Sequence, residues 1–329
     1  MEGKMYIITG GAGFLGSALV WELNRYGVHD IIIVDNLSRS EKWRNLVPRR
    51  FVDYMHRDAF LRLVRSGALP PWKVDAVVHL GACSDTTETD VDFLMENNFH
   101  YSRDVCRWAL EKGARFIQAS SAATYGNGEE GFDDAPARLM ELRPLNMYGY
   151  SKHLFDLWAQ RQNLLDSVAS LKFFNVYGPN EYHKGNMRSV VCKAYAEIQR
   201  TGRLRLFRSN HPQYKDGEQQ RDFVYVKDVT AVMAWLLQTP GVNGIFNVGA
   251  GVPRTWNALA RAVFSAMSLP VNIDYVEMPE ALHGKYQNFT CANMNRLLAA
   301  GCPPCETTLE EGVTEYVCEY LEQDTYLDS

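Results

Sequence analysis

The glycine-rich stretch at residues 10–16, GGAGFLG, constrains the fold more than any other part of the sequence. It follows a short apolar run at residues 4–9 that suits a buried strand, and it precedes a helical pattern that Gly27 can end as a C-cap. The next apolar run, at residues 31–34, ends in Asp35, about twenty residues beyond the glycines. A strand, a glycine turn, a helix, a second strand and an acid are, in this order, the context of a dinucleotide site.

The glycine turn predicts a binding site for a pyrophosphate. Gly11 and Gly13 allow a tight turn and a close approach of the backbone to the phosphates, and Gly16 lets the following helix pack on the strand. The N–H groups of Phe14 and Leu15 lie at the amino terminus of that helix, where an anion is stabilised. An ordinary strand-to-helix turn is the alternative, but the surrounding elements favour a dinucleotide site.

The residues after the second strand leave the choice between NAD and NADP open. Asp35 would accept hydrogen bonds from the adenosine ribose, which favours NAD. Arg39, Lys42 and Arg57 would neutralise a 2′-phosphate, which favours NADP. These cations could equally lie on a solvated surface, so their spacing alone does not decide between the two cofactors.

The alternation of strands and helices continues through the first half of the chain. Apolar runs at residues 74–80 and 114–119 predict two more strands, and residues 88–112 predict a long helix whose apolar face is interrupted by Asn97 and Asn98. The pattern predicts an α/β fold: a Rossmann-type doubly wound parallel sheet with a smaller, interleaved α/β substrate domain.

The two predicted domains share the second half of the chain. Residues 1–174, with about 222–250, are assigned to the NADP-binding domain, because residues 244–248 suit the last strand of the large sheet. Residues 175–221 and 251–329 are assigned to the substrate-binding domain. Asp228 is expected to cap a helix, and residues 307–324 are expected to form a final helix, after which residues 324–329 fray.

A serine, a tyrosine and a lysine form the candidate catalytic group. Tyr148 and Lys152 open an amphipathic helix and lie on one face of it, because they are four residues apart. A free tyrosine titrates at about pH 10, and an adjacent ammonium with an oxidised nicotinamide ring would favour its phenolate as a general base. Ser121, at the end of a predicted strand, could hold the substrate hydroxyl. Tyr and Lys also open helices by chance, an alternative that the upstream glycine turn weakens.

Two arginines on predicted strands are candidates for binding a diphosphate. Residues 203–208 alternate as a half-exposed strand that ends in Arg208, and Arg221 begins a second strand at residues 221–226. Each guanidinium could bind a phosphate bidentately. The alternative is a surface arginine near acids, which fits Arg208 better than Arg221.

Charge, apolar runs and cysteines argue against several classes of protein. A net charge of −5 and a pI of about 5.9 provide no basic surface for nucleic acid. No apolar run approaches the roughly 18 residues of a membrane helix. The seven cysteines occur without a secretory signal, so we expect a cytoplasmic protein with reduced thiols. Cys302 and Cys305 have metal-binding spacing but no second pair, so no metal site is predicted.

Several segments of the chain are similar to one known family. They are TGGAGFLGS, IVDNL, GACSDTTE, ASSAATYG, NMYGYSK, FNVYGPNEYHKGNM, RDFVYVKDV and GIFNVG. They resemble the extended short-chain dehydrogenase/reductase superfamily, and within it most of all the ADP-L-glycero-D-manno-heptose 6-epimerase family. The resemblance implies an isomerase that inverts C6″ of ADP-D-glycero-D-manno-heptose for the lipopolysaccharide inner core. It also implies NADP as the cofactor, with NAD possible, and a homo-oligomer, a pentamer, as the assembly.

The resemblance also assigns residues to the site. With the glycines of the turn, the residues expected to contact the cofactor are Gly10, Gly13, Phe14, Leu15, Gly16, Asp35, Asn36, Lys42, Arg57, Leu80, Gly81, Ala82, Cys83, Ser84, Asn97, Tyr148, Lys152, Val176 and Lys184. The residues expected to contact the substrate are Ser121, Asn175, Asn186, Lys193, Phe207, Arg208, Ser209, Asn210, Arg221 and Tyr286.

Lys184 is expected to be a second acid/base. Inverting a carbinol by oxidation and re-reduction requires the ketone to turn in the site, so its oxygen reaches a new place that one acid cannot easily serve. The family's second acid/base belongs to the HKG segment, which puts Lys184 opposite Tyr148. Partial desolvation would lower the pKa of the lysine towards neutrality. The alternative is a cation that only pairs with phosphates of the cofactor or substrate.

Three other functions compete with this interpretation. A 4-epimerase or a 4,6-dehydratase of the same superfamily is the nearest, but dehydratases of this type have an Asp-Glu pair where this chain has Ala122 and Ala123. A regulator that binds NADP without turnover is the third. Such proteins typically lose the catalytic Tyr or Lys, and this chain has both.

Overall fold

A parallel sheet of seven strands forms the centre of the protein in the computed structural model, which describes residues 3–67, 73–280 and 286–328. Its strands are β1 (Tyr6–Thr9), β2 (Ile31–Asp35), β3 (Asp53–His56), β4 (Ala76–His79), β5 (Arg115–Ser121), β6 (Val168–Phe173) and β10 (Gly244–Val248). Their order across the sheet is β10-β6-β5-β4-β1-β2-β3, with every neighbouring pair parallel. The order reverses between β1 and β4, where ligands bind at the carboxyl ends of the strands in such sheets. The predicted doubly wound sheet is confirmed.

Two smaller sheets are formed by strands of the second half. One contains β7 (Asn175–Tyr177), β9 (Gln220–Tyr225) and β11 (Pro253–Thr255), in the order β11-β9-β7. The other pairs β8 (Leu204–Phe207) with β12 (Ile273–Val276) in parallel. β8 and β9 correspond to the strands predicted at residues 203–208 and 221–226, but β8 ends at Phe207, one residue before Arg208. β10 is the predicted last strand of the large sheet. The domain boundaries themselves stay a prediction.

Helices cover the sheets. They are α1 (Phe14–Arg25), α2 (Arg57–Ser66), α3 (Val91–Leu94), α4 (Tyr101–Glu111), α5 (Met147–Arg161), α6 (Val190–Thr201), α7 (Val226–Gln238), α8 (Trp256–Ala266), α9 (Asn295–Ala299) and α10 (Leu309–Glu315). A π-helical turn, Met95–His100, joins α3 to α4, and a second, Tyr316–Leu321, continues α10. Short 3₁₀ helices span Glu41–Leu46, Ala122–Tyr125, Pro136–Glu141 and Tyr182–Met187. Within the described residues, no helix is long and apolar enough to cross a membrane.

The central strands are buried on both faces, which explains their continuous apolar sequences. Along β2, Ile31 and Ile33 pack in a cluster with residues of α1 and α7, whereas Ile32 and Val34 pack with residues of α2, α4 and α5. Helices therefore cover both faces of the sheet, and the carboxyl ends of its strands remain open.

Two expectations for the second half of the chain are wrong. Asp228 does not cap α7, because that helix begins at Val226 and the Asp228 carboxylate instead accepts hydrogen bonds from the N–H and hydroxyl of Thr307. Residues 324–328 do not fray: Leu327 is 0% exposed, and its N–H donates to the side-chain oxygen of Asn180 at 3.0 Å. Residue 329 lies outside the described part of the chain.

Candidate active site

A cavity of about 760 Å³ opens at the carboxyl ends of the central strands. Every residue expected to contact the cofactor lines it, and so do Ser121 and Asn175 from the expected substrate residues. The structure therefore brings the glycine turn, the candidate catalytic residues Tyr148 and Lys152, and the Lys184 loop around one space. The individual roles of these residues stay predictions.

The glycine turn forms a tight cradle at one end of the cavity. Gly10 has a φ of +66°, a conformation that disfavours residues with a side chain, and its carbonyl oxygen accepts a hydrogen bond from the Gly13 N–H at 2.9 Å. A Cβ on Gly16 would lie 2.1 Å from the carbonyl oxygen of Gly10. Gly13 precedes α1 as an N-cap without a side-chain acceptor. The first N–H groups of α1 consequently suit a phosphate.

Asp35 is held by its own chain. Its carboxylate accepts hydrogen bonds from the N–H groups of Ala12 at 2.9 Å and Asn36 at 2.6 Å, and from the Lys42 ammonium at 2.6 Å. The Lys42 ammonium therefore offsets the negative charge of Asp35. These are two of the residues on which the sequence left the choice between NAD and NADP open. Arg39, the first cation of the predicted cluster, is exposed and is not among the lining residues of the cavity.

The π-helical turn connects Arg57 to the loop after β4. The Arg57 guanidinium donates to the side-chain oxygen of Asn97 at 2.5 Å, and the Asn97 amide donates to that of Asn98 at 2.9 Å. Asn98 is buried and bonds the backbone N–H and carbonyl of Cys83, both at 2.9 Å. Sequence reasoning noted both asparagines but did not assign Asn98 to the site. It anchors the loop that lines the cavity beside Tyr148.

Tyr148 and Lys152 project from the first turns of α5, as predicted. The Lys152 ammonium donates to the carbonyl of Ala119 at 2.9 Å, and its burial lowers its pKa to about 8, although Asp156 opposes this shift. Burial raises the pKa of Tyr148, and a hydrogen bond with Ser121 opposes that increase. The expected lowering of the tyrosine pKa is therefore not present in the protein alone. It requires positive charge from a bound group.

Lys184 reaches the same cavity from the loop after β7. Its ammonium lies 5.2 Å from the ring centre of Phe14, the first residue of α1. Burial lowers the pKa of Lys184, Glu181 opposes this shift and Lys193 adds to it. The direction is the one expected of a lysine acid/base, and Tyr148 and Lys184 come from different segments of the chain.

The sequence model of the NAD dependent epimerase/dehydratase family matches residues 6–249. The chain belongs to this family. It is 66% identical over 317 residues to a protein of Nitratidesulfovibrio vulgaris (strain DP4) named ADP-L-glycero-D-manno-heptose-6-epimerase, covering 96% of this chain and 98% of the relative. A protein of that name from Fusobacterium nucleatum subsp. nucleatum is 46% identical, covering 98% and 100%. The resemblance to the heptose epimerases is confirmed.

Solved structures of the epimerase/dehydratase family share the fold. The structure of Helicobacter pylori ADP-L-glycero-D-manno-heptose-6-epimerase matches with a TM-score of 0.77 at 24% identity, covering 97% of this chain and 96% of that one. A Thermus thermophilus UDP-glucose 4-epimerase in complex with NAD matches with a TM-score of 0.73 at 25% identity, covering 95% and 97%.

Apart from Ser121 and Asn175, the expected substrate residues of this epimerase-family chain form two groups outside the cavity lining. Arg221 is buried, with its guanidinium 5.5 Å from the ring centre of Trp256 and 4.9 Å from that of Tyr286. Trp256 lines the cavity and donates to the Tyr286 hydroxyl at 2.7 Å. These three side chains therefore extend the cavity wall.

The remaining expected substrate residues lie further from the lining. Arg208 is 56% exposed and pairs with Glu277 at 3.5 Å. The side chain of Asn210 approaches Met278, the Ser209 N–H donates to Asp216, and the Lys193 ammonium donates to the Asn186 carbonyl. Phe207 ends β8 and is half-buried. Their contacts with a substrate stay predictions.

Sequence reasoning missed a buried polar group beneath α5, the helix that carries the candidate catalytic residues. Asp156 accepts hydrogen bonds from the hydroxyls of Ser120 at 2.8 Å and Ser170 at 2.6 Å, and lies 3.4 Å from the Lys172 ammonium. Lys172 also donates to the hydroxyl of Thr124 at 2.6 Å. Asp156 follows Lys152 by one helical turn on the face of α5 that carries Tyr148, which was a usable signal.

Proposed function

We propose that the protein inverts C6″ of ADP-D-glycero-D-manno-heptose to give ADP-L-glycero-D-manno-heptose, by oxidation to a ketone and re-reduction on the opposite face. The observation that carries this proposal is one cavity with two separate acid/base candidates, Tyr148 on α5 and Lys184 on the loop after β7. The named relatives at 66% and 46% identity over nearly the whole chain support it. Two such groups on different segments suit an inversion, because one acid does not easily reach the oxygen in both orientations of the ketone.

NADP is the proposed cofactor. The residues present fit a dinucleotide, because the cradle of Gly10 and Gly16 has no room for a Cβ and opens on the start of α1. Lys42 offsets the charge of Asp35, and Arg57 lines the same end of the cavity, so a 2′-phosphate would meet cations there. When bound, the cofactor supplies the reversible two-electron oxidation of the carbinol carbon.

Tyr148 is the proposed base for the first proton. Its phenol would take the proton of the C6″ hydroxyl, and Ser121, which hydrogen-bonds the same phenol, would orient that hydroxyl. Lys152 lies one turn away on α5, with its ammonium fixed on the Ala119 carbonyl. Together with the positive charge of a bound oxidised cofactor, this ammonium would favour the phenolate against the effect of burial.

Lys184 is the proposed acid/base for the turned ketone. Rotation about the bond that joins the exocyclic carbon to the sugar ring would move the ketone oxygen away from Tyr148. Proton transfer needs heavy atoms about 2.6–3.2 Å apart, so a second group must lie near the new position. Lys184 lines the cavity from a different segment, the loop after β7. Its lowered pKa lets it donate and accept a proton at a pH nearer neutrality than a solvated lysine does.

Arg221 is proposed to bind the diphosphate of the substrate. Its guanidinium lies over the rings of Trp256 and Tyr286, and one N–H donates to the Gln220 carbonyl. The remaining donors are suited to a bidentate contact with phosphate. The 4,6-dehydratase alternative has less support, because Ala122 and Ala123 follow Ser121 in the 3₁₀ helix after β5 and supply no acid or base there.

The test of the two-base proposal is Lys184→Met. We expect this variant to lose the half-reaction of one epimer and largely keep that of the other, with little change in substrate affinity, when each is assayed with an analogue already oxidised to the ketone or aldehyde. Lys73→Met, at a lysine whose side chain is 86% exposed, is the matched control. Equal loss in both directions with weaker binding would make Lys184 a phosphate clamp.

The test of the cofactor proposal compares two dinucleotides. Lys42→Ala and Arg57→Ala should each weaken NADP by about ten- to a hundredfold, since a hydrogen bond to a charged group contributes roughly 1.5–3 kcal/mol. NAD should be affected much less. Equal losses for the two dinucleotides, measured by titration calorimetry, would return Asp35 to the leading role and favour NAD.

The assembly and location are proposed from the resemblance. A cytoplasmic homo-oligomer, with the pentamer as the expected size, follows from the heptose-epimerase family. Light scattering after gel filtration measures the mass directly, and a monomer of 37.4 kDa would contradict the proposed assembly.

A further inference from the structure

Residues 325–328 pack against α1, and Leu327 among them is buried. Leu327 packs in the same hydrophobic cluster as Phe14 and Trp21 of α1. The Trp21 indole N–H donates to the carbonyl of Asp328 at 2.6 Å. The segment is therefore part of the wall that supports α1, although its four residues have no helical or strand pattern.

Asn180 links this segment to two other elements. It is 0% exposed and has a φ of +76°, which asparagine tolerates better than most residues. Its side-chain oxygen accepts from the Leu327 N–H at 3.0 Å, and its amide donates to the Ser17 hydroxyl of α1 at 3.0 Å. Its carbonyl accepts from the Asn45 amide at 3.1 Å. One residue thus joins α1, the 3₁₀ helix Glu41–Leu46 and residues 325–328.

The loop that carries Lys184 begins at this point. The Tyr182 hydroxyl donates to the Thr325 carbonyl at 2.9 Å, and the Lys184 N–H donates to the Glu181 carbonyl at 3.0 Å. The buried Glu181 carboxylate accepts from the Ser189 hydroxyl at 2.6 Å, which ties the loop to the start of α6. Together with the bond from Asn180 to Ser17, these bonds tie the loop to α1.

We propose that Asn180 is a positioning residue and that, with residues 325–328, it clamps the Lys184 loop to the nucleotide-binding helix. The proposal rests on the proposed function, in which Lys184 transfers a proton. That transfer tolerates little error, because misplacement by about 1 Å can cost on the order of a hundredfold in rate. The clamp keeps the distance between the Lys184 ammonium and the cofactor end of the cavity constant while the ketone turns.

Asn180→Gly is the informative variant. Glycine adopts a φ of +76° without strain, so the change removes the side-chain bonds to Ser17 and Leu327 and leaves the backbone path available. Asn163→Gly is the matched control, because Asn163 is exposed and also has a positive φ, +57°. The variants are compared by steady-state epimerisation kinetics and by hydrogen exchange of the backbone amides at residues 181–188.

We expect Asn180→Gly to lower kcat about tenfold or more, with KM within about threefold of wild type, and to speed exchange in the loop, while Asn163→Gly changes neither. Faster exchange with an unchanged kcat would support the clamp and overturn the catalytic role of Lys184. Unchanged exchange in the loop would overturn the clamp, whatever the kinetics show.

A second pair of variants approaches the clamp from the other side. Leu327→Ala leaves Asn180 intact and empties the buried position beneath it, whereas Leu327→Met keeps the volume. We expect Leu327→Ala to reproduce the fall in kcat and the faster loop exchange. Leu327→Met should keep both quantities close to those of the wild type. Equal exchange in the two variants would contradict the part assigned to residues 325–328.

Discussion

Replacing Lys172 by methionine tests the buried ion pair beneath the catalytic helix. The Lys172 ammonium lies 3.4 Å from the Asp156 carboxylate, and both side chains are 0% exposed. Methionine keeps much of the length and apolar volume of the lysine stem and removes its charge. The variant therefore leaves the Asp156 carboxylate in the core without its ion-pair partner.

The expected loss follows from the partners that remain. Removing one member of a buried pair typically costs about 3–5 kcal/mol. Asp156 keeps its hydrogen bonds from the Ser120 and Ser170 hydroxyls, so we expect the lower end, about 3 kcal/mol. An unfolding entropy of about 2.1 cal/mol/K per residue over 329 residues is about 0.7 kcal/mol/K, so the Tm should fall by about 4 °C.

The assay is thermal unfolding of a double-mutant cycle. Lys172→Met and Asp156→Asn should each lower the Tm, because each leaves the other charge buried without its ion-pair partner. The double variant should recover part of the loss, since it contains neither charge. A change of less than about 1 °C in Lys172→Met, or losses that simply add in the double variant, would show that the pair does not bear on stability.

Three further outcomes are expected. Tyr148→Phe should keep cofactor affinity and lose about 10²–10⁴ in kcat, and a wild-type rate would move the base elsewhere. Gly16→Ala should abolish the rise in Tm on adding NADP, because its Cβ would lie 2.1 Å from the Gly10 carbonyl oxygen; a full rise would contradict the cradle. Burial lowers the pKa of Lys152 from 10.5 to about 8, so the unfolded chain binds more protons across that window. The free energy of unfolding of the wild type, measured with denaturant, should therefore rise more between about pH 8 and 10.5 than that of Lys152→Met. Equal rises in the two proteins would refute this.

The cofactor end of the cavity could be predicted because its signals are local. The glycine turn occupies residues 10–16, and the distance from Tyr148 to Lys152 is one helical turn. Such short-range patterns determine backbone geometry almost by themselves. The order of strands around them then places the turn and the catalytic helix at the same edge of the sheet.

The polar groups that support the catalytic helix could not be predicted in the same way. Asp156 lies on α5 and Ser170 and Lys172 lie on β6, so only the packing of the helix on the sheet brings them together. A buried lysine in an apolar strand gives no periodic signal. The same holds for Leu327, whose partner Asn180 is distant in the sequence and is joined to it by tertiary structure alone.

Charge in the site was predicted in kind but not in pairing. Lys42 was expected to neutralise a 2′-phosphate, but in the folded chain it pairs with Asp35. Arg57 was expected beside it, and it is oriented by Asn97 from the π-helical turn. Sequence spacing indicates which charges are available, whereas the rotamers that pair them depend on neighbouring elements.

The position of β10 at the edge of the large sheet has a consequence for how the chain folds as it is synthesised. β10 pairs with β6, yet residue 244 leaves the ribosome about seventy residues after residue 173, roughly 4–14 s later at about 5–20 residues per second. During this interval β6, with its buried Lys172, has an unpaired edge to which another nascent chain could add a strand. A pause in translation before residue 244 should therefore lower the yield of native protein more than one placed after residue 248.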